Sequence, residues 1–582
     1  MIPILATRGW RHKAASTCSV CGRSPVYNRK AADTANVSTL RLRVLSTARL
    51  LYCPYARMPL DMDSTATPLL PPRRSLAAWA ALAAVLIVGF YALALALAAA
   101  CVFLPYLILK SQSGPGFEGI LLFVSGLVIA GTILWSLIPR REKFTPPGPR
   151  LEPARHPRLF AEIEHLAKTL NEPPPDEVYL ISGVNAWVSE PEGPGRRIMG
   201  LGLPLLQILS VSRFRAVLAH EFAHYYGGDT RLGPWVYKTR VTMVRTLQGL
   251  GSPTAALRFL TRLGVVRLVH LVVTRVLIAY WNLFLRITQR ISRRQEFRAD
   301  ELACAVSGSR ALVEGLKDIH RAAAVTDAYW GQLGSVLGAG YRPPVAEGFA
   351  RFMAAGNVRE AVETHLAKEL AHPQKRPYDS HPPLRERLEA AARLPAGNEP
   401  QDDHPAISLL EDVASLEARL LEKLNPKQNV GSLKLAQWEE LGETIYVPGW
   451  RKFVGEYAAL LAGVRAGSLP EKIKGLAEMG SRIRDPKGML LKPQQRVQRA
   501  RELLAASLSL SLMASGWELH AQPGDFYFQR GDEKFQPFRA VHELANGKIT
   551  GEVWMARAKA LGIEELSLEP KPAPPEAAGA TA

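Results

Sequence analysis

Cysteine is scarce in this chain: there are five in 582 residues, at Cys18, Cys21, Cys53, Cys101 and Cys304. So few, so widely scattered, exclude a disulfide scaffold and point to a reducing compartment. Cys18 and Cys21 form a C-x-x-C pair, but only Cys53 and His12 lie near enough to complete four metal ligands, so a zinc knuckle is a poor reading of it. Acidic residues are also in short supply, 53 against 72 Lys plus Arg, which leaves a net charge of +19. That balance concerns anionic partners and says nothing about fold. No helix-turn-helix, RNA-recognition or zinc-finger signature accompanies the arginines, so no nucleic-acid partner is expected. Residues 1–57 are basic, acid-poor and aperiodic, and read as disordered or as sequence upstream of a start at Met58 or Met62.

Charge is missing altogether from Leu76 to Leu109, a run longer than the roughly 20 residues that cross a bilayer core. A polar break with Gly114, Pro115 and Gly116 follows, and then a second uncharged run from Gly119 to Ile138. Residues 58–143 are therefore expected to form a transmembrane hairpin with spans at 76–109 and 119–138. Arg73 and Arg74 precede the pair and Arg140, Arg141 and Lys143 follow it, which puts both outer ends in the cytoplasm. The first run is too long and too far from the N-terminus for a cleaved signal peptide.

Beyond the hairpin, Pro146, Pro147, Pro149 and Pro153 mark an extended linker. A soluble domain is expected over 155–394. Glu177 to Ile181 and Arg196 to Leu201 are strand candidates around the turn-prone Glu190 to Gly195. From Ser212, the residues Phe214, Val217, Leu218 and Phe222 recur at helical spacing until Gly227 and Gly228. The stretch from Leu257 to Arg290 is apolar but interrupted by arginines. Arg275, Arg286, Arg290 and Arg293 fall within an arc of roughly 60° on a helix. A helix lying at the bilayer surface and a long domain helix with its arginines in water are equally compatible with that stripe, and a further span is the least expected option. Residues 405–568 carry an amphipathic helical pattern to about Ser515, then Phe526, Tyr527 and Phe528 before a Gly531-Asp532 turn hint at a strand pair. They are expected to form a mostly helical accessory domain, with a disordered Pro/Ala-rich tail at 569–582. The fold class is mainly α with a small β-sheet, α+β.

The chemistry lies in His220-Glu221-Phe222-Ala223-His224, an H-E-x-x-H run inside the helix expected from periodicity. Histidines four residues apart project from one face, as two neighbouring ligands of a tetrahedral zinc must. Glu221 can then accept the proton of a water that the metal has acidified, which is peptide hydrolysis without a covalent intermediate. A third protein ligand is required from a second element, and Glu296 is the best candidate. Asp300, four residues on, shares its helical face and can fix the free nitrogen of a ligating histidine. Asp229 is a second candidate for that role.

These residues resemble the membrane zinc peptidase family that contains the HtpX heat-shock protease and the type I CAAX prenyl endopeptidase. The resemblance rests on the Ala216 to Glu221 lead-in, Asp229, the block from Arg294 to Asp300, Asn185-Ala186, and His381-Pro382-Pro383 followed by Arg387. It covers roughly Glu162 to Ala391. It implies a gluzincin-type domain with one Zn2+ per chain held by His220, His224 and Glu296. It also implies that Asn185 and Ala186 lie on an edge strand that takes extended substrate, and that His381 and Arg387 are an auxiliary polar pair that steadies the oxyanion or the substrate backbone. Arg213 departs from the family, which has a glutamate near the start of that helix.

The function expected is that of an integral, multi-pass membrane zinc endopeptidase. Its setting would be a bacterial inner membrane, with the catalytic domain in the cytoplasm, acting on membrane-associated or misfolded polypeptides in quality control. A CAAX-type prenyl-protein endopeptidase is the same-chemistry alternative. A catalytically inactive, membrane-tethered adaptor is the alternative of another class, and the intact Glu221 argues against it.

Overall fold

The computed structural model describes residues 77–111, 116–138, 144–190, 195–226, 233–251, 264–373, 381–397, 402–484 and 492–570. The expectations for residues 1–57, for Asp229 and for nearly all of the 569–582 tail lie outside the described residues. In chain order the first elements are α1 (Ala77–Ser111), α2 (Phe117–Leu137), β1 (Arg150–Leu151), α3 (Pro157–Thr169), β2 (Glu177–Ile181), β3 (Ala186–Ser189) and β4 (Ile198–Gly202). They are followed by α4 (Leu203–Ile208), α5 (Val211–Tyr226), α6 (Gly233–Gly251), α7 (Gly264–Ser307), α8 (Ser309–Gly338), β5 (Tyr341–Arg342), α9 (Val345–Ala354), α10 (Gly356–Ala371) and α11 (Leu384–Ala391).

The uncharged runs fold as the hairpin α1–α2. Its backbones touch at Gly126, where an added Cβ would lie 1.9 Å from the Cys101 carbonyl oxygen, the close approach that small residues permit between apolar helices. α6 packs on α2, with the Ser136 and Thr246 hydroxyls 2.6 Å apart, and α7 packs on α1, where the Tyr280 hydroxyl donates to the Leu86 carbonyl at 2.7 Å. Phe90, Ile129, Ile133, Leu277 and Phe284 form the buried interior of this bundle. Among the described residues, three helices are long and apolar enough to cross a membrane: Ala81–Ser111, Phe117–Leu137 and Gly264–Ser307. The third was the least expected from sequence. It qualifies because Arg275 is the one charged residue between Arg267 and Arg286, and that leaves an apolar stretch of spanning length.

A second body is built on a four-stranded sheet of order β1-β2-β4-β3, with β2 and β4 parallel and the outer pairs antiparallel. β2 reads as a strand because Val178, Tyr179 and Leu180 are all buried, and β4 is buried along its whole length, the pattern of a central strand covered on both faces. Gly200 is required there. The Trp187 ring lies across it, and an added Cβ would come within 2.4 Å of the indole. β1 falls in the proline-marked linker, which is extended as expected and closes the sheet edge by pairing Leu151 with Val178. α5 is packed into this body by Phe214, Leu218 and Phe222, with Leu302 of α7 and Leu312 of α8 in the same core.

The helical pattern after residue 405 divides between two cores. Leu416, Leu420 and Trp438 join the core of the sheet and α5, whereas Val454 to Leu568 gather round Trp517, Phe528, Phe535 and Trp554. The hint of a strand pair near Phe526 is met by a three-stranded antiparallel meander, Glu518–Gln522, Asp525–Arg530 and Glu533–Phe535.

Candidate metal centre

α5 brings His220, Glu221 and His224 to one place because its remaining faces are apolar and buried: Ala216, Leu218, Ala219 and Phe222 are at most 1% exposed. The two imidazoles stand nearly perpendicular, at 84°, with centroids 4.9 Å apart. α7 packs along α5 and delivers Glu296 opposite them. Its Oε2 lies 3.5 Å from His220 Nε2, and its Oε1 lies 3.8 Å from His224 Nε2. One ligand atom from each of the three residues falls within 4.8 Å of the other two. Two donors held about 2.0–2.1 Å from a tetrahedral zinc lie roughly 3.4 Å apart, so the donor set fits a divalent ion with only small side-chain adjustment.

Asp300 lies one turn beyond Glu296 and faces His220, with its Oδ1 3.0 Å from Nδ1. That contact assigns the Nδ1 proton and leaves Nε2 pointing at the metal position. Arg387, carried by α11, donates from Nε to Asp300 Oδ2 at 2.9 Å and from Nη2 to Oδ1 at 2.7 Å. Its Nη2 also approaches His220 Nδ1 at 3.5 Å, but the carboxylate is nearer and is the true acceptor. Asp300 is 1% exposed and Arg387 6%, so this is a buried bidentate pair. His381, just ahead of α11, places Nδ1 2.7 Å from Glu296 Oε2 and remains 45% exposed at the mouth of the site.

Charge in the site is strongly coupled. Burial opposes protonation of His220, but the bonds to Asp300 and Glu296 outweigh it and raise the imidazole to about 9. Burial and the neighbouring His220 lower His224 to about 4, which keeps it neutral as a ligand must be. Burial pushes Glu221 up to about 7, against the pull of His220, in the range suited to a group that takes and returns a proton near neutral pH. Burial would raise Glu296 as well, yet hydrogen bonds from His220 and His381 hold its carboxyl well below the ordinary carboxylate range. Arg387 likewise holds Asp300 down against its burial.

His220, Glu221, His224, Glu296, Asp300, His381 and Arg387 thus converge. Arg387 turns Nε and Nη2 to Asp300 and leaves Nη1 3.7 Å from Glu296 Oε2. Asn185 and Ala186 lie at the start of β3, which packs against α5. Arg197 was missed by sequence reasoning. It pairs with Glu172 and Glu190 and covers the Tyr225 ring at 4.3 Å, so it ties the end of α5 to the start of β4. Its partners are far apart along the chain, and no local pattern announces it.

No curated protein matches the chain. Residues 153–394, which hold every residue of the centre, match the sequence model of peptidase family M48. This part of the chain is therefore similar to the metallopeptidases of family M48, which covers zinc metallopeptidases of the HtpX and CAAX prenyl protease type.

Proposed function

We propose that the chain is a membrane-anchored, zinc-dependent endopeptidase that cuts membrane-associated or misfolded polypeptides, a quality-control activity. The observation that carries this reading is the convergence of His220, His224 and Glu296 from two helices, with Glu221 beside the first of them. Zn2+, when bound, supplies a Lewis acid that polarises the scissile carbonyl and acidifies water. Glu221 takes the proton from the attacking water on its carboxylate and returns it to the leaving amine. Asp300 orients His220, and Arg387 acts through Asp300 as a positioning residue. His381 donates from Nδ1 to Glu296, and as an imidazolium it can also donate from Nε2 to a developing oxyanion.

Substrate would lie along β3, one of the two edge strands of the described sheet. The Gly202 N–H donates to the Asn185 carbonyl at 2.9 Å. Bonding to β4 alternates along an antiparallel ladder, so the main-chain groups of Ala186 and Val188 face away from β4. They can bind an extended peptide without reading its sequence. The test is paired: zinc content and casein cleavage by the full chain in detergent and by Glu221→Gln. The substitution should leave zinc stoichiometry intact and lower kcat by at least 100-fold. Undiminished cleavage would remove Glu221 from the mechanism, and zinc without cleavage in the parent would favour a tethered adaptor.

The third apolar helix supports a second reading, since a prenyl-protein endopeptidase is expected to enclose its site among several spans. Preferential cleavage of a prenylated C-terminal peptide over casein would select it.

A further inference from the structure

Between Asp229 and Glu296, residues 230–295 contain eleven arginines and one lysine and no aspartate or glutamate, in a chain that holds 53 acidic residues. This stretch separates the two halves of the metal centre. It includes α6 and all of α7 up to the metal-facing carboxylate. The exposed face of α7 bears Arg275, Arg286 and Arg290, which lie within an arc of about 60°. The same side exposes Leu271 and Val272 ahead of Arg275 and Leu283 between Arg275 and Arg286, at 48%, 51% and 47%. The opposite side is packed into the bundle through Val273, Leu277 and Phe284.

A helix face turned to water ordinarily offsets its arginines with acidic residues one turn away. This face has none and alternates arginine with large apolar side chains. That is the chemistry of a surface shared between acyl chains and headgroups: the arginine stems lie along the apolar layer while the guanidinium groups reach outward. A guanidinium also matches phosphate through paired N–H donors.

We infer that the Arg286 and Arg290 end of this face of α7 binds the headgroups of anionic phospholipids. The site holds lipid phosphate beside the bundle and sets the depth of the peptidase body at the membrane. Arg286 and Arg290 precede Glu296 by ten and six residues, so the headgroup layer lies within about 15 Å of the metal-facing carboxylate along the helix axis.

The inference does not depend on the peptidase reading, and its readout is lipid binding. The full chain in neutral detergent is titrated with phosphatidylglycerol and, separately, with phosphatidylcholine, and bound lipid is counted by native mass spectrometry. Phosphatidylglycerol should bind at least tenfold more tightly, and 0.5 M salt should weaken it. Each guanidinium near an anionic surface strengthens association roughly fivefold, so R286Q/R290Q should lose roughly 25-fold. Phosphatidylcholine binding and zinc content should not change, and the double lysine variant should keep most of the affinity. Equal affinity for the two lipids, unchanged phosphatidylglycerol binding in the double glutamine variant, or displacement of the lipid by millimolar inorganic phosphate or by a short RNA would each overturn the inference. If the double variant does not fold, the single glutamine variants should each lose about fivefold, and flat single variants overturn it equally.

Discussion

Arg387 shows how much of a candidate metal centre can rest on a residue outside its set of ligands. Its two bonds to Asp300 are what make a buried carboxylate tolerable beside His220. Arg387→Ala leaves that carboxylate charged, buried and without its partner, a change that costs about 3–5 kcal/mol. Metal affinity should fall 10–100-fold, the usual loss when a group that orients a ligand is removed. Competition with a graded chelator measures the affinity and thermal unfolding in detergent measures the stability. Arg387→Lys, with a single amine in place of the fork, should fall between, and an alanine variant with unaltered zinc affinity would refute the positioning role. Glu417 offers a test of sign away from the centre. It is 6% exposed, and its two oxygens accept from the Ala346 and Val345 amides at 2.7 and 2.9 Å. Burial nevertheless raises its pKa above the ordinary value of 4.5, against those amide bonds. A carboxyl raised by folding contributes most below its unfolded pKa and progressively less as pH rises through the folded value. Glu417→Ala should therefore be more destabilising at pH 4 than at pH 8, as read from the difference in unfolding midpoint. The reverse order would show that the ionised form is the one the fold prefers.

At the scale of elements, β3 is short, yet its position decides what it can do. It is bonded on one side to β4 and, among the described residues, has no strand on the other. Proline is tolerated at an edge position whose N–H points away from the sheet, so Val188→Pro should keep the fold and the zinc. It removes one outward donor from the surface proposed for substrate. Cleavage of an unfolded protein should drop at least tenfold in kcat/KM, chiefly through KM, and an unchanged KM would place the substrate elsewhere. The identity of β3 as an edge was not legible from its residues alone. Four residues with mixed burial carry no strong periodicity, and here the family resemblance rather than the pattern marked Asn185 and Ala186. β2 and α5 were legible, because a short apolar run bounded by turn residues and a helical apolar repeat are local signals. The third apolar helix was obscured by arginines, whose number argues against a span when counted but whose spacing leaves Arg275 as the one charged residue from 268 to 285.

At the scale of the whole molecule, α7 is the mechanical link. Its 44 residues extend about 66 Å. They place Val273, Leu277 and Phe284 in the bundle interior and Ala299, Leu302 and Ala303 in the core beside α5. One alanine inserted after Arg290 turns everything beyond it by about 100° relative to the bundle. Glu296 and Asp300 would then leave His220, and zinc stoichiometry should fall toward zero while the protein still fractionates with membranes. Full zinc occupancy in the insertion variant would show that the bundle and the centre are not held in register by this helix.

The sequence by itself determined whatever is local: the uncharged runs long enough to span a bilayer, the helix that puts His220 and His224 on one face, and Glu221 between them. Each follows from residue type and a fixed spacing along a regular helix. Tertiary structure alone decided which distant groups meet. It set Arg387 on Asp300, brought Glu296 to two histidines on another helix, and sent Leu416, Leu420 and Trp438 into the first core and Trp517 and Trp554 into the second. An apolar face declares that it must be buried but not against what, because hydrophobic burial has no direction of its own. A buried charge likewise requires a partner without naming which one, and only the packed chain supplies that choice.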